Sequence, residues 1–493
     1  MANKRLALII SLAVPLSGCA VGPDYHPSTA AKLGVPDSYS VPADQRAQED
    51  LTRWWSKFDD PMLAQLVEQG RTANLDVAQA VTRLRQAREA LVQARSSLFP
   101  NVGASGSYSR SEPIRGGSTT ITLPDGTVTS FSQGGSNSFS IGADVSYQAD
   151  LFGGNRRSVE AARADYEGTG FDYATILTSI EGEIARNYVI ARLQQAQLAN
   201  DRASLAIQDD NLQIAGWRVQ AGLVSSLDVE QARAARAQTA AIIPQLEASL
   251  NQSFSRLGVL TGQAPGALKS QLEAVRPIPR GPTSVTVGIP ADTLRQRPDV
   301  RGAERSLASA TARIGVNEAQ LYPALQLGGS INAGSSVLDE IFDVITGRLF
   351  ANVAQTIFDA GRTRSQVRSA RAAADGAFLA YKSTVLTALE DVENAVMALR
   401  SAQQREQEFT IALDAANNSA ILARSQYRAG LTDFVTLNQT EASLLSAQNG
   451  LSQAQSDKAT ALIQLYLALG GGWDSTTIPE AATATASLAT QDR

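Results

Sequence analysis

Two periods alternate along this chain. Over residues 138–148 the apolar Phe139, Ile141, Ala143, Val145 and Tyr147 alternate with Ser138, Ser140, Gly142, Asp144, Ser146 and Gln148. That period of two predicts a strand with one oily and one wet face. Val102, Ala104 and Tyr108 alternate with Asn101, Ser105 and Ser107 in the same way, and Leu325, Leu327 and Ile331 with Gln326, Ser330 and Asn332. A weaker fourth strand is expected over residues 349–357. Each half of the chain thus holds two strands, joined by Gly/Ser/Thr-rich loops near 113–135 and 333–347.

Elsewhere the period is helical. A helix is predicted from Asp60-Pro61, an N-cap followed by proline at the first helical position, to about Leu98, before Pro100. Two much longer helices are expected over 156–216 and 364–424. Each would span roughly 90 Å at 1.5 Å per residue. Val385, Leu389, Val392, Val396 and Leu399 are spaced as a coiled-coil seam, and so are Tyr173, Leu177, Ile180, Ile184 and Ala191. Glycine permits a reversal at Ala221-Gly222 and again at Ala429-Gly430. Return helices are then expected over 225–262 and 433–469.

These halves are a duplication. Asp150-Leu-Phe-Gly-Gly-Asn-Arg-Arg157 is echoed by Thr356-Ile-Phe-Asp-Ala-Gly-Arg-Thr363, and Arg218-Val-Gln-Ala-Gly-Leu223 by Tyr427-Arg-Ala-Gly-Leu431. Leu257-Gly-Val-Leu-Thr-Gly262 is echoed by Leu465-Tyr-Leu-Ala-Leu-Gly470. The offset is about 206–208 residues throughout, far longer than a solenoid repeat. The order hairpin, long helix, turn, helix therefore occurs twice.

The N-terminus is an address. Lys4 and Arg5 precede a short apolar run, residues 6–15, too short to span a bilayer and typical of a secretory signal. It ends in Leu16-Ser17-Gly18-Cys19, the pattern of a bacterial lipobox. Cys19 is thereby expected to become the lipid-bearing N-terminus, with acyl chains as a membrane anchor. Ala20, rather than Asp, follows it, which points to the outer membrane.

Composition narrows the function classes. Of 493 residues one is cysteine, one is histidine (His26) and three are methionine. A disulfide framework, a zinc site and histidine catalysis are thus disfavoured, as is a thioether relay for soft metals. No cofactor other than the lipid is expected. Net charge is −5 with both signs dispersed, so nucleic acid is not an expected partner. The acidic pairs Asp59-Asp60 and Asp209-Asp210 sit in N-cap and helix-surface contexts, not in a glycosidase arrangement. Asp144 and Asp150 are expected on the wet face of the second strand.

The strands admit two environments, a half-buried soluble hairpin or a lipid-facing barrel. Four strands cannot close a barrel, and open sheet edges are not tolerated in lipid. Membrane strands would therefore have to be pooled from several chains; three would supply twelve.

The residues resemble a known family. Leu16-Ser-Gly-Cys-Ala-Val-Gly-Pro-Asp-Tyr25, Trp54-Trp55 through Phe58-Asp-Asp-Pro61 and Leu98-Phe-Pro100 are similar to the lipoprotein branch of the outer membrane efflux proteins. So are Asp150-Leu-Phe-Gly153, Gly288-Ile-Pro290 through Arg297-Pro-Asp-Val-Arg301, Ile357-Phe358 with Gly361, and Leu469-Gly-Gly-Gly-Trp473. The resemblance implies a mainly α homotrimer with an internal two-fold repeat. Four strands per chain would form a twelve-stranded outer-membrane β-barrel, continuous with a long periplasmic α-helical barrel. Segments around 40–60, 265–295 and 470–480 would form a belt. The implied boundaries are signal 1–18, anchored leader 19–60, repeat halves 61–275 and 276–474, and a disordered tail 475–493. The implied hairpins fall at about 98–151 and 323–358, and the tip turns at about 221–228 and 429–435.

The implied function is the exit duct of a tripartite export system, without covalent chemistry. Its partners would be outer-membrane lipid, a periplasmic adaptor and an inner-membrane pump of the resistance-nodulation-division type. By the same resemblance, Arg218, Gly222, Leu223, Ser226 and Asp228 form one adaptor-docking tip. Arg428, Gly430, Leu431, Thr432 and Asp433 form the other. Val435 and Gln439 would line the periplasmic aperture as an apolar and a neutral polar ring. Many relatives carry aspartate where Gln439 stands, so an acidic, cation-binding constriction is not implied here. The competing readings are a lipid-anchored coiled-coil scaffold without a pore, which has no use for lipid-facing strands, and a lipid-anchored enzyme, for which no nucleophile–base or metal constellation is present.

Overall fold

The computed structural model describes residues 20–41, 50–116, 118–132, 134–282, 285–474 and 476. The expected signal segment, Cys19 and nearly all of the tail lie outside the described residues. The helices are α1 (Ala30–Leu33), α2 (Pro61–Ala73), α3 (Leu75–Ser96), α4 (Gly154–Gln220), α5 (Ser226–Leu260), α6 (Lys269–Leu272), α7 (Pro290–Gln296), α8 (Pro298–Ala319), α9 (Arg362–Arg428) and α10 (Phe434–Ala468). The strands are β1 (Asn101–Ser111), β2 (Ser118–Thr122), β3 (Val128–Ser132), β4 (Ser136–Ala149), β5 (Ala324–Ser335) and β6 (Ile345–Ala354).

The duplication is kept in the lengths of three helix pairs. α4 and α9 are each 67 residues long, α5 and α10 each 35, and α3 and α8 each 22. The halves differ in their hairpins: the first carries an added two-stranded ribbon, β2–β3, inside the segment expected to be a plain loop. The long helices exceed the expected spans at both ends. The fourth strand begins earlier and ends earlier than expected, because its register is set by β5, with Ala324 opposite Ala354 and Ala333 opposite Ile345.

The helix expected over 60–98 is two helices. Asn74 is extended, its Oδ1 accepts from the amides of Asp76 (2.8 Å) and Val77 (3.1 Å), and its Nδ2 donates to the Leu260 carbonyl (2.8 Å). Asparagine is a strong N-cap, so one residue both ends α2 and starts α3. Asp60 caps α2 as expected, accepting from Met62 and Leu63.

The chain forms two compact units, each drawing on both halves. One comprises residues up to His26, Arg88–Asp165 and Leu307–Ala377. It holds a four-stranded antiparallel sheet in the order β1-β4-β5-β6. The other comprises Pro27–Ala87, Tyr166–Ser306 and the chain from Phe378, and holds a helical core. There Trp54 stacks on Tyr466 (5.7 Å) beside Trp55, Phe58, Leu63 and Ile184. The seam residues Leu177, Ile180, Val385, Val392 and Val396 are buried, the outcome of their helical spacing.

Segments expected to form the belt meet at this core: Leu51, Leu268, Ile278 and Val287 share one cluster, and the Gly472 amide bonds the Leu51 carbonyl (3.0 Å). Beside it Arg71 bonds the fully buried Glu181 and the Gly472 carbonyl (2.8 Å). Burial pushes the Glu181 carboxyl well above the usual carboxylate range, against the opposing pull of Arg71.

Candidate channel and docking surfaces

The sheet places most of its oily residues on one face across all four strands, with Phe350 of β6 on the other, in the row of Ser146 and Gly328. Val102, Val145 and Gly329 share one row with Leu349, and Ala104, Ala143 and Ile331 share another with Gly347. Residues opposite each other in an antiparallel pair point the same way. Val102, Ile331, Leu349 and Val353 are all more than half exposed in the single chain. The other face carries Gly103, Asp144, Ser330 and Arg348 in one row, and Gln148, Gln326 and Asn352 in another. Asp144 therefore lies on the wet face as expected. Asp150 does not: it follows the end of β4 and caps α4, accepting from the amides of Asn155 and Arg156 (3.0 Å each).

β1 and β6 are the edges of this sheet. An apolar face with unpaired edges suits lipid only when further strands complete the ladder. Among the described residues, no helix is long and apolar enough to cross a membrane.

Two tip turns close the helical pairs in the same way. The Leu223 amide bonds the Arg218 carbonyl (2.9 Å) and the Gly222 amide bonds that of Val219 (3.0 Å). The Leu431 amide bonds the Gln426 carbonyl (2.9 Å) and the Gly430 amide bonds that of Tyr427 (3.0 Å). This is a Schellman cap, which needs a left-handed residue, and the two glycines supply it at φ 69° and 74°. The next helix is then capped by Ser225, which accepts from Leu227, or by Asp433, which accepts from Thr436. Hydrogen bonds from the Thr436 amide and side chain hold the exposed Asp433 carboxyl below its usual range.

Ser226, expected at the tip, is the first helical residue after the true cap. Ser225 was missed, although it stands at the repeat position of Asp433. Asp228 lies in the first turn of α5, Leu223, Arg428 and Leu431 are exposed, and Thr432 is half-buried. Val435 and Gln439 share the exposed face of α10, opposite the buried Phe434 and Leu437.

The tips pack together. Arg218 Nη1 donates to the Tyr427 carbonyl (3.1 Å), and its guanidinium lies 4.7 Å from the centre of the Tyr427 ring. Tyr427 meets Phe434 edge-on at 6.2 Å, over Ala215, Ala232 and Leu437. One turn further in, Arg424 forms a two-pronged pair with Glu441, Nη2 to Oε2 at 2.7 Å, with Glu441 only 5% exposed. Tyr427, Phe434, Arg424 and Glu441 were not singled out in the sequence. The signal that could have found the first two is the aromatic pair flanking the second glycine turn.

At the other unit the described chain begins against the end of the sheet. The Val21 amide bonds the Phe152 carbonyl (3.1 Å). The buried Arg157 clamps the carbonyls of Val21 and Gly22 (3.2 Å each) and Asp24 (2.6 Å).

A family model described as outer membrane efflux protein matches residues 66–263 and 289–471. Nodulation protein T of Rhizobium leguminosarum bv. trifolii is 32% identical over 463 residues, covering 93% of this chain and 96% of that protein. The pyoverdine export outer membrane protein OpmQ of Pseudomonas putida is 29% identical over 478 residues, covering 96% and 99%. Among solved structures the outer-membrane channel OprN matches with a TM-score of 0.81 at 32% identity, over 92% of this chain and 100% of that one. The CmeC channel of Campylobacter jejuni matches with a TM-score of 0.83 at 21% identity, over 96% and 100%, and speaks for the fold alone.

Such channels are trimers that join a β-barrel in the outer membrane to a helical barrel in the periplasm. They work with an adaptor and an inner-membrane pump. The four-stranded sheet and the paired long helices described above are the corresponding parts of this chain. The chain belongs to the outer membrane efflux protein family and is the outer-membrane channel component of a tripartite export system.

Proposed function

We propose that the paired tips are the surface by which this channel meets its adaptor, and that the cognate pump is of the resistance-nodulation-division type. The observation that carries the docking reading is the fusion of two repeat-related turns into one end by Arg218, Tyr427 and Phe434. That end presents Leu223, Leu227 and Leu431, each at least 60% exposed, around backbone held by two identical caps. Gly222, Ser226, Asp228, Arg428, Gly430, Thr432 and Asp433 shape the turns. Exposed apolar groups on a rigid frame suit a partner without an ordering cost.

Val435 and Gln439 are proposed as the aperture lining, because their shared face is turned from the packed core of the tip. The pump class rests on the likeness to the lipoprotein branch. A lipid on Cys19 is supported by the pinning of Val21 and Gly22 at the end of the sheet, where an anchor would lie close to the strands.

The test is co-purification of the channel with its adaptor after Leu223→Asp and Leu431→Asp substitution. Trimer mass is checked by light scattering and export of the natural cargo is measured in cells. Loss of adaptor with an intact trimer is expected; full co-purification sinks the docking assignment. Growth on labelled palmitate, with Cys19→Ser as the comparison, tests the lipid.

A further inference from the structure

A cleft of about 430 Å3 opens between α4, α5 and α10. Into it face Asp201 and Gln208 from α4, Ile242 and Leu246 from α5, and Asn438 and Asn449 from α10. No lysine or arginine is among its lining residues. Arg202 and Arg236, on the same helices, are each held in an ion pair at 2.6 Å, with Glu247 and Asp209.

Asp201 is only 2% exposed, and its Oδ2 accepts from the Asn449 side-chain amide at a long 3.3 Å. Burial pushes its carboxyl above the usual range, with Asn449 pulling it back. Gln208 Oε1 is buried and has no hydrogen-bond partner among the described residues. Among the lining groups, Asp201 and Gln208 thus present buried acceptor oxygens, one of them able to carry charge, and no lysine or arginine lines the cleft to meet them. A buried charge in this state calls for a partner.

Helix packing does not demand this arrangement. The duplication places Phe409 of α9 where α4 has Asp201, and Gly450 of α10 where α5 has Ile242. In the second half the Phe409 ring lies against Gly450, so closely that a Cβ there would run into it. A ring fills in one half the place that a carboxylate takes in the other.

Asp201 and Gln208 are seven residues apart on one helix, about 10 Å along its axis. That is too far for both to ligate one metal ion, whose oxygen ligands sit about 2–2.6 Å away. It suits an elongated organic molecule. The volume lies within the range of about 300–1,000 Å3 for small-molecule sites.

We propose that this cleft binds an amphipathic organic cation, with its charged nitrogen at Asp201, a donor group at Gln208 and its apolar body against Ile242 and Leu246. The site is a property of the isolated trimer and does not depend on adaptor docking, so the two can fail separately.

The test is titration of the full-length trimer in lipid nanodiscs with ethidium, read by fluorescence. Saturable binding near one ethidium per chain is expected, displaced by tetraphenylphosphonium. Asp201→Asn, which keeps shape and can still bond Asn449, should weaken binding at least ten-fold. Ala442→Trp, which fills the cleft, should remove it. Trimer mass by light scattering confirms that each variant is assembled. Equal binding by both variants and the parent, or no saturable binding above empty nanodiscs, would overturn the proposal.

Discussion

Arg218, two residues before the end of the first long helix, lies over the ring of Tyr427, one residue before the end of the second, at 4.7 Å, and also bonds its carbonyl. The repeat position of Arg218 is Gln426, so the contact has no counterpart in the other direction. A single side chain thereby ties two pseudo-symmetric turns into one end.

Replacing Arg218 by alanine removes a cation–ring contact of about 0.5–2 kcal/mol and a charged hydrogen bond of about 1.5–3 kcal/mol, with partial overlap. Hydrogen exchange at 220–226 and 428–434 should quicken several-fold while the sheet is unaffected. Lysine should restore it only in part, since it lacks the planar stack. Unchanged exchange at the tips would show that the apolar cluster alone holds them.

Arg424→Ala leaves Glu441 buried without its partner. A loss of about 3–5 kcal/mol is expected, local to α9 and α10. Glu441→Leu with Arg424→Met should lose much less, because no charge is stranded. The reading is a double-mutant cycle on thermal or chemical unfolding; simple additivity would deny the coupling.

Glu181 sets a pH dependence. Its carboxyl is raised in the folded chain, so the native state holds the proton more tightly than the unfolded one. Its contribution is complete below the ordinary carboxylate range and is lost as pH rises through the raised value. Glu181→Gln imitates the protonated form and should be more stable than the parent at neutral pH. The advantage should shrink as the pH falls toward the ordinary carboxylate range. A variant less stable than the parent at every pH would show that the bond from Arg71 outweighs burial.

Gly222 and Gly262 separate strain from space. Both are left-handed, at φ 69° and 71°. Nothing lies near a Cβ at Gly222, whereas one at Gly262 would meet the Ala73 backbone carbonyl. Gly222→Ala should cost about 1–2 kcal/mol, the price of the left-handed conformation alone. Gly262→Ala should cost clearly more, because backbone cannot swing aside. Equal unfolding midpoints for the two variants would contradict this.

Much of the fold is legible in particular residues. The alternation from Phe139 to Tyr147 marks β4 and its oily face, since a period of two has few other uses in a long exposed run. Spacing of Val385, Val392 and Val396 marks the seam of α9, and Gly222 and Gly430 mark the tips. The less legible parts depend on partners that come near only when the chain turns back or packs. Asn74 reads as an ordinary helical residue until the Leu260 carbonyl is seen beside it. Asp150 reads as strand until the amides of Asn155 and Arg156 turn back to meet it.

By itself the sequence determined the duplication, the order hairpin, long helix, turn, helix in each half, the oily face of the main strands and the seam of the long helices. These depend on periodicity and on local backbone preference, both carried by neighbours along the chain. Tertiary structure alone decided the strand order β1-β4-β5-β6, the bond of Arg218 to the far tip, the burial of Glu181 and Glu441, and the cleft at Asp201. Each joins residues far apart in sequence or depends on how separate elements pack. Spacing within one segment carries no record of which distant group will stand opposite when the helices pack.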